Sequence, residues 1–491
     1  NLFMSSYMEL AKRISMNFQS KTALILALGL PSIALAQNNV LTLEDFLNQV
    51  ELKNEAFVGA QLAEKGAKGR VKEGGLIFSP TLFTSLQAVD DKRPTVNVAS
   101  QGDETRLKLF EFGLSQVTPI GLGAKLSYNL SDTTIKHSNP SYLPMPAYTD
   151  SAVKLELNQP LWQNFFGRQF RSMREASEAS AKATSLSKSY EAQMALYDAE
   201  LKYWRLAATR ESISILKQNV EQTQNVLEFN KTKVRRNLTD ATDVYQSEAM
   251  LKARLLDLQS ALDDEKELVR LFNAARGEDS EVLDREVKLL SFDELLEKLK
   301  HVESRKNVAR NDIRAAAEGL RATKASNRVS EDKTRPDLSL FAVGSLTNRD
   351  KYTKDAYSGM DQEHPYGAVG IKLSLPLDFG ARSSVRRGYV NESLGAEMAY
   401  RKKLLDQETE WENITKKIEL MSNRLILARD LKDAQYKKLV NERQRQRNGK
   451  SSTFQVFQFE LEYLSSQLSL VQLQSSALAL MAQSKIYQDI E

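Results

Sequence analysis

Apolar residues alternate with small or polar ones in two short segments that are similar to each other. Residues 153–168 read VKLELNQPLWQNFFGR, and residues 369–382 read VGIKLSLPLDFGAR. A period of two places alternate side chains on one face of a β-strand. In each copy a proline, which has no N–H to donate, is predicted to end the strand pairing. A glycine then precedes a long helical pattern, so the junction residues are Pro160 and Gly167 in the first copy and Pro376 and Gly380 in the second.

Similar alternation predicts four strands in the first half of the chain and two in the second. Strands of about ten residues suit a transmembrane β-barrel, and a small soluble sandwich is the alternative. The predicted strands are Thr81–Val89, Leu107–Val117, Ala124–Ser131, Ala152–Leu161, Asp337–Leu346 and Ala368–Leu377.

These strands are too few for one chain to close a membrane barrel. Barrels made from one chain begin at about eight strands, and open strand edges are not tolerated in lipid. Several copies are therefore predicted to share one barrel. A trimer would contribute all the strands of each chain, or four from each chain if the hairpin near 107–131 lies outside the wall.

Helical periodicity dominates the rest of the sequence. Ile213, Val220, Leu227 and Val234 are spaced by seven residues, and similar stripes follow in the second half. Such heptads predict coiled-coil hairpins, with turns at 236–239 and 448–451. A helix from 168 to 236 would be roughly 100 Å long, which suits a tube that crosses a periplasm better than a globular core.

A repeated decapeptide indicates that the chain is a tandem duplication. Residues 41–50 read LTLEDFLNQV and residues 290–299 read LSFDELLEKL, and each is followed by helix, strands and long helices. Thr42 is predicted to cap the first helix. The predicted fold is mainly α, of the α+β class. The predicted units are a signal peptide at 1–36, a first repeat at 37–289 (strands about 81–161, hairpin about 168–275) and a second repeat at 290–491 (strands about 337–377, hairpin about 382–487).

The N-terminal residues have the order of a secretory signal. Lys12, Arg13 and Lys21 precede the apolar run 23–30, and Ala34-Leu35-Ala36 forms a cleavage site before Gln37. A buried N-terminal helix is the alternative interpretation. A signal would direct the chain out of the cytoplasm.

Composition excludes several functions. The chain has no cysteine, and its 68 basic and 64 acidic residues give a net charge of +4 without a basic block, so nucleic acid is not a predicted partner. His137, His301 and His364 lie far apart, without metal-ligand spacing. No nucleotide-binding glycine loop is present. We therefore predict no catalytic residue, no metal and no cofactor, although the many carboxylates leave a chance acid–base pair open.

The duplicated motifs resemble those of the TolC-like outer-membrane factor family. The likeness rests on the two decapeptides, on Asn54-Glu55, on the segments 157–167 and 373–380, and on residues 237–244. The resemblance implies a homotrimer with a β-barrel in outer-membrane lipid and an α-helical tunnel through the periplasm. It also implies two protein partners, a periplasmic adaptor and an inner-membrane pump or ABC exporter, so that the trimer is the passive exit duct for efflux or type I secretion. A non-conducting coiled-coil scaffold of the envelope is the alternative.

The resemblance also implies functional positions at the hairpin turns. Members of the family usually have a glycine before each turn, whereas this chain has Asn237 at the first and keeps Gly449 at the second. The second turn is strongly basic. No matching carboxylate pair is visible near it in the sequence, so we do not extend to it the cation selectivity of members with acidic rings. The predicted adaptor-contact residues are Asn237, Leu238, Thr239, Asp240, Asn448, Gly449, Lys450 and Ser451, and the candidate tunnel-mouth residues are Arg443, Arg445 and Arg447.

Overall fold

The structure of the chain is a computed structural model that describes residues 40–236, 240–303, 310–358 and 365–487. The predicted signal peptide therefore lies outside the described residues. The helices are α1 (Leu43–Lys53), α2 (Glu55–Arg70), α3 (Val98–Gln101), α4 (Arg168–Arg235), α5 (Ala241–Ala275), α6 (Phe292–Glu303), α7 (Asn311–Lys333), α8 (Thr353–Ser358), α9 (Phe379–Arg447) and α10 (Thr453–Lys485). The strands are β1 (Thr81–Asp91), β2 (Glu104–Val117), β3 (Gly123–Lys136), β4 (Ala147–Pro160), β5 (Asp337–Asp350) and β6 (Pro365–Ser374). None of these helices combines the length and the apolar character that a membrane span requires.

All six strands belong to one antiparallel sheet in the order β1-β2-β3-β4-β5-β6. The hairpin β2–β3, whose place was left open, pairs with β1 on one side and with β4 on the other. The two halves of the chain meet where β4 pairs with β5, with Leu157 opposite Ala342. The hairpin near 107–131 is therefore an integral part of the sheet.

Two long helices carry the chain away from the sheet. α4 has 68 residues and α9 has 69, so each is about 100 Å long. Nearer the sheet, α4 packs against α2 and α7, and beyond them it packs against α5. α9 likewise packs first against α7 and then against α10. α4 ends at Arg235 and α5 begins at Ala241, on either side of the first predicted break, and α9 turns into α10 at the second predicted break.

The seam between α4 and α5 differs from the predicted stripe. Ile213 and Leu227 are buried, but Val220 is only partly buried and the adjacent Asn219 takes the inward position. Further along, Asn230 is fully buried, and its Nδ2 donates a hydrogen bond of 2.7 Å to Oγ of Ser247 on α5. Polar residues thus share this seam with apolar ones, which a count of apolar residues alone does not reveal.

The main core lies midway along the long helices and contains both copies of the decapeptide. Phe46 of the first copy stacks on Phe272, with ring centroids 4.3 Å apart, and Leu295 of the second copy is fully buried in the same cluster. Oγ1 of Thr42 accepts a hydrogen bond from N–H of Asp45, which confirms the predicted cap. The decapeptides therefore begin short helices that pack around the long ones.

Candidate functional site

The sheet has one apolar face that no described element covers over most of its area. The pairing places Leu82, Leu114, Leu126 and Leu155 in one row across four strands. Leu86 at one edge is 81% exposed and Val369 at the other is 77% exposed. The residues of this apolar face are Leu82, Leu86, Phe110, Phe112, Leu114, Leu126, Tyr128, Leu130, Val153, Leu155, Leu157, Leu340, Ala342, Leu346, Val369, Ile371 and Leu373.

The opposite face is mainly polar and concave. A cavity of about 530 Å³ lies against it near the helical end of the sheet. Its lining takes a side chain of this face from every strand, so the sheet must curve around it; these residues are Thr81, Ser115, Lys125, Glu156, Ser339 and Lys372. Nζ of Lys125 lies 2.8 Å from a carboxylate oxygen of Glu111 on the neighbouring strand. The polar face can therefore line a water-filled space.

The apolar face ends before the strands do. At the end of the sheet that is farthest from the long helices, polar residues replace apolar ones on this face. These residues are Lys108, Asp132 and Asn348. The short helix α8 lies at this boundary. The rings of Tyr357 and Tyr128 meet edge to face, with centroids 6.3 Å apart. An outward apolar band that gives way to polar residues is typical of a surface that faces lipid.

Within the described residues, both edges of the sheet lack a further strand. There β1 pairs with β2 alone, and β6 pairs with β5 alone. Because the strands alternate in direction, β1 and β6 run antiparallel to each other. The β6 edge of one copy can therefore continue the antiparallel order against the β1 edge of another.

The first junction between strand and helix is not made by proline, in contrast to the sequence prediction. Pairing continues beyond Pro160, because the N–H groups of Leu161 and Gln163 donate to β5-side carbonyls at 2.7 and 3.0 Å. The chain turns instead at Asn164, Phe166 and Gly167, with φ values of 56°, 43° and 77°. A Cβ on Gly167 would lie 2.2 Å from the carbonyl oxygen of Pro119, so only glycine fits here.

The second junction has a different construction. β6 ends at Ser374, before the predicted end at Leu377, because pairing with β5 stops at Asp337 and Pro376 offers no N–H. Oδ1 of Asp378 accepts a hydrogen bond of 2.9 Å from N–H of Ala381 and caps α9. A Cβ on Gly380 would meet nothing closer than 3.7 Å, so a glycine is not required at this position.

Asp332, at the end of α7, holds the first junction together. Its side chain is fully buried, Oδ2 accepts from N–H of Asn164 at 2.6 Å, and Oδ1 accepts from Nη2 of Arg168 at 2.8 Å. Arg382, which follows the second junction, also reaches α7, since its Nε donates to the carbonyl oxygen of Thr334 at 2.7 Å. The arginine that closes each repeated segment therefore ties its long helix to the same turn.

The turn between α9 and α10 lies at the far end of the second hairpin. Gly449 has φ of 71°, in the left-handed region. Glu442 is buried; one carboxylate oxygen accepts from the hydroxyl of Ser451, and the other lies 3.4 Å from Nη1 of Arg445. Lys450 and Asn448 are exposed. This carboxylate is therefore used inside the turn.

Arg443 connects the two hairpins near their ends. Its Nη2 donates to Oε1 of Glu460 on α10 at 2.8 Å and to Oε1 of Gln222 on α4 at 3.0 Å. Burial raises the pKa of Glu460 above its usual value, although the charge of Arg443 opposes this effect. Arg443 therefore crosses between hairpins, whereas Arg445 pairs within its own turn.

Solved outer-membrane channels have similar structures over most of this chain. VceC from Vibrio cholerae has a TM-score of 0.65 with 16% identity, covering 91% of this chain and 95% of that one. The Campylobacter jejuni CmeC outer membrane channel has a TM-score of 0.63 with 14% identity, over 92% and 85% of the chains. The open state of the Neisseria gonorrhoeae MtrE outer membrane channel has a TM-score of 0.62 with 14% identity, over 91% and 88%.

The chain has the TolC-like fold. No protein-family model matches the sequence, and a sequence comparison with curated proteins gives no match either. At these identities the similarity lies in the backbone, which agrees with the motifs that suggested the TolC-like fold.

The predicted site residues are spread along this TolC-like fold. The junction residues lie beside the sheet, and Arg443, Arg445, Arg447 and the second turn lie at the opposite end of α9. Asn237, Leu238 and Thr239 lie outside the described residues. Asp240 occupies the position before α5, where its side chain makes no capping hydrogen bond.

The sequence prediction missed the residues that fix the first junction. Asn164 has left-handed backbone torsions, and its Oδ1 accepts from N–H of Gln169 at 2.8 Å. Its partner Asp332 comes from the other half of the chain. The sequence offered one signal for this junction: an arginine, Arg168 or Arg382, ends each of the two repeated segments. Among the described residues no group of histidine and carboxylate side chains is arranged to hold a metal ion.

Proposed function

We propose that the chain is one subunit of a trimeric outer-membrane channel that acts as a passive exit duct for an efflux or type I secretion system. The observation that carries this proposal is the curved sheet, with an apolar band on its outer face and a polar concave face. A water-filled pore in lipid needs both surfaces at once. The likeness to the channels CmeC and MtrE supports the same function.

The strand number and the edges left unpaired in the described part of the chain support a barrel shared by several copies, and the resemblance to TolC-like channels favours three. Unpaired backbone groups at an edge are costly in lipid, so the edges of the sheet must be joined. Three copies of a six-stranded sheet would form a closed antiparallel barrel with an even number of strands. We propose that all six strands contribute to its wall, because the hairpin β2–β3 is paired on both sides.

The long helices would extend the pore through the periplasm. We propose that residues 37–289 and 290–491 are the two repeats, and that residues 1–36 are a signal peptide that directs export. Trp162, Phe165 and Phe166 are 47–52% exposed just below the sheet, where an aromatic girdle would meet the inner surface of the outer membrane.

The hairpin ends are the proposed place of opening. The chain has no nucleotide-binding loop, so energy would come from an inner-membrane pump or ABC exporter reached through a periplasmic adaptor. The contact of Arg443 with Gln222 joins the two hairpins of one subunit, and an adaptor that binds the turns would separate them. Asn237–Asp240 and Asn448–Ser451 are the proposed contact residues, and Arg443, Arg445 and Arg447 would lie around the mouth.

Disulfide cross-linking tests the shared barrel directly, because the native chain has no cysteine. Leu82→Cys on β1 is combined in turn with Val369→Cys, Ile371→Cys or Leu373→Cys on β6. We expect at least one combination to give covalent dimers and trimers in outer-membrane fractions, whereas each single variant stays unlinked. If every combination gives only internally linked monomers, or no product, the shared barrel is wrong.

A further inference from the structure

A cavity of about 490 Å³ lies on the apolar face of the sheet, beside the short helix α8. The strands β1, β2 and β3 form its floor, and Thr353 of α8 forms one wall. We call this cavity the α8 pocket. Its lining residues are Leu86, Gln87, Ala88, Lys108, Leu109, Phe110, Leu130, Asp132 and Thr353.

Contacts with the sheet hold α8 on the apolar face. Nδ2 of Asn348 donates to the carbonyl oxygens of Asp355 and Ala356 at 3.0 and 3.1 Å. Ala356 is fully buried, and the hydroxyl oxygens of Thr353 and Thr149 lie 3.2 Å apart. The wall of the α8 pocket is therefore fixed to β4 and β5.

The floor of the α8 pocket changes from apolar to polar along the strands. Leu86, Phe110 and Leu130 lie in one row across β1, β2 and β3. In the next row, towards the end of the sheet farthest from the long helices, Lys108 lies opposite Asp132. A lipid presents the same succession of surfaces, because its acyl chains adjoin a polar head group.

The two charged residues of the pocket are available to a ligand. Lys108 and Asp132 form no ion pair within the described residues, although they lie opposite each other. The neighbouring cations Arg106 and Lys136 both pair with Glu104, at 2.6 and 2.9 Å. The polar end of the pocket therefore offers an ammonium group and a carboxylate that are not neutralised by each other.

We propose that the α8 pocket binds a phosphorylated glycolipid in the outer leaflet of the membrane. An acyl chain would lie on Leu86, Phe110 and Leu130, and the phosphate would accept hydrogen bonds from Nζ of Lys108. Hydroxyl groups of the sugar would donate to the carboxylate of Asp132. This inference rests on the proposed function, because that function places the apolar face in lipid and the long helices in the periplasm.

Two features favour a sugar head group over a simpler phospholipid. The carboxylate of Asp132 would repel a head group that carries only negative charge, so the phosphate must be accompanied by hydrogen-bond donors. Polar residues also continue on this face of β2 from Lys108 to Glu104, which is roughly 13 Å along the strand. A compact ethanolamine head group would leave most of that surface unused, whereas a sugar phosphate extends along it.

Native mass spectrometry of the purified full-length protein tests this inference. The probes are a diacylated glucosamine phosphate, its dephosphorylated form and a phosphatidylethanolamine with matched acyl chains. We expect one glucosamine phosphate to bind each chain, at least about tenfold more tightly than either of the other lipids. Equal affinities for the phosphorylated and dephosphorylated forms would overturn the inference, as would equal or tighter binding of phosphatidylethanolamine.

Charge variants locate the phosphate. Lys108→Glu should weaken binding of the glucosamine phosphate by about tenfold, whereas Lys108→Arg should retain it. Lys372→Glu is the matched control, because Lys372 is exposed on the polar face of the same sheet, and it should leave lipid binding unchanged. Unchanged binding in Lys108→Glu, or equal weakening by Lys372→Glu, would exclude the α8 pocket as the site.

A bulky substitution locates the acyl chain. Ala88→Trp should fill the α8 pocket and weaken binding of the glucosamine phosphate by about tenfold. Thr84→Trp is the control, because Thr84 lies on the same face of the same strand but does not line the pocket. Binding that survives in Ala88→Trp, or that is lost equally in both variants, would contradict the proposed position.

Ion conductance in planar bilayers separates this inference from the proposed function. Conducting trimers that bind the three lipids equally would overturn only the assignment of the α8 pocket. A protein that conducts no ions, but binds the glucosamine phosphate with the expected dependence on Lys108 and Ala88, would support the pocket and contradict the duct.

Discussion

The buried carboxylate of Asp332 lies 2.8 Å from the guanidinium of Arg168 and also accepts the backbone N–H of Asn164. This arrangement joins the end of α7, in the second half of the chain, to the start of α4 in the first. One side chain that is far away in sequence therefore helps to orient the sheet relative to the long helices.

Asp332→Ala should destabilise this junction. It leaves the N–H of Asn164 without an acceptor in a buried position, which costs about 1–3 kcal/mol. Asp332→Asn keeps an acceptor and should cost less. The free energy of unfolding is measured in guanidinium by circular dichroism. Asp430→Ala serves as the control because its carboxylate is 64% exposed, and it should change stability by less than about 0.5 kcal/mol. Equal effects at both positions would contradict the role of Asp332.

The two junction glycines should respond differently to alanine. Gly167→Ala forces a Cβ into the backbone of Pro119 at a φ of 77°, and it should destabilise the protein by about 1–3 kcal/mol. Gly380→Ala lies in open space within α9 and should be neutral or stabilise the protein by up to about 1 kcal/mol. Thermal unfolding of the two variants compares them. Similar losses of stability in the two variants would contradict the difference in geometry between the two junctions.

Substitutions at two neighbouring residues of β4 should distinguish the face of the sheet that contacts lipid from the face that lines the pore. Leu155→Arg places a charge in the apolar band, at a cost of about 2–4 kcal/mol per copy at the membrane midplane, and should reduce the amount found in the outer membrane. Glu156→Arg changes the polar face and should insert normally but alter ion selectivity. Membrane fractionation and reversal potentials measure the two effects. If Leu155→Arg inserts as well as Glu156→Arg, the assignment of faces is wrong.

Two acidic residues on α10 should contribute to the stability of the protein with opposite pH dependences. Burial raises the pKa of Glu460 above 4.5, so its contribution to stability is complete below that pH and is lost as the pH rises through the folded-state value. Glu460→Gln should therefore be at least as stable as the native protein at pH 7.5, and the difference should shrink towards pH 4.5.

Glu462 is the matched control for this pH dependence. Its hydrogen bond to Lys438 lowers the pKa of its carboxyl group below 4.5, so its contribution is present above that pH and is lost on acidification. Glu462→Gln should be slightly less stable than the native protein at pH 7.5. Guanidinium unfolding between pH 4.5 and pH 7.5 tests both. A loss of stability in Glu460→Gln at pH 7.5 would mean that the charge of Arg443 outweighs the effect of burial on the pKa of Glu460, which would contradict this account.

The elements of this fold were largely predictable because their signals are local. Alternation marked the strands, and spacings of three and four marked the helices that bury Ile418, Leu425 and Leu464. The position of the hairpin β2–β3 within the sheet was not predictable. It depends on pairing of β2 with β1 and of β3 with β4, and local sequence patterns do not specify which strands pair.

The end of strand pairing at the first junction and the contact between the two hairpins were also not predictable from the sequence, because both depend on contacts between distant segments. Pro160 was a plausible end of pairing, but the carbonyls of residues 336 and 338 continue to accept hydrogen bonds from the chain that follows it. Arg443 was a candidate for the tunnel mouth, yet only the packing of α9 beside α4 shows that it reaches Gln222. Contacts between distant segments decide both cases.

Single-channel recording in planar lipid bilayers tests the central claim most directly. Purified full-length protein, shown to be trimeric in detergent, is added to one side of the membrane. We predict stepwise, ohmic increases in current, each from one inserted trimer. A protein that remains monomeric and water-soluble, and that never produces a current step, would contradict the proposal that three of these chains form one continuous pore.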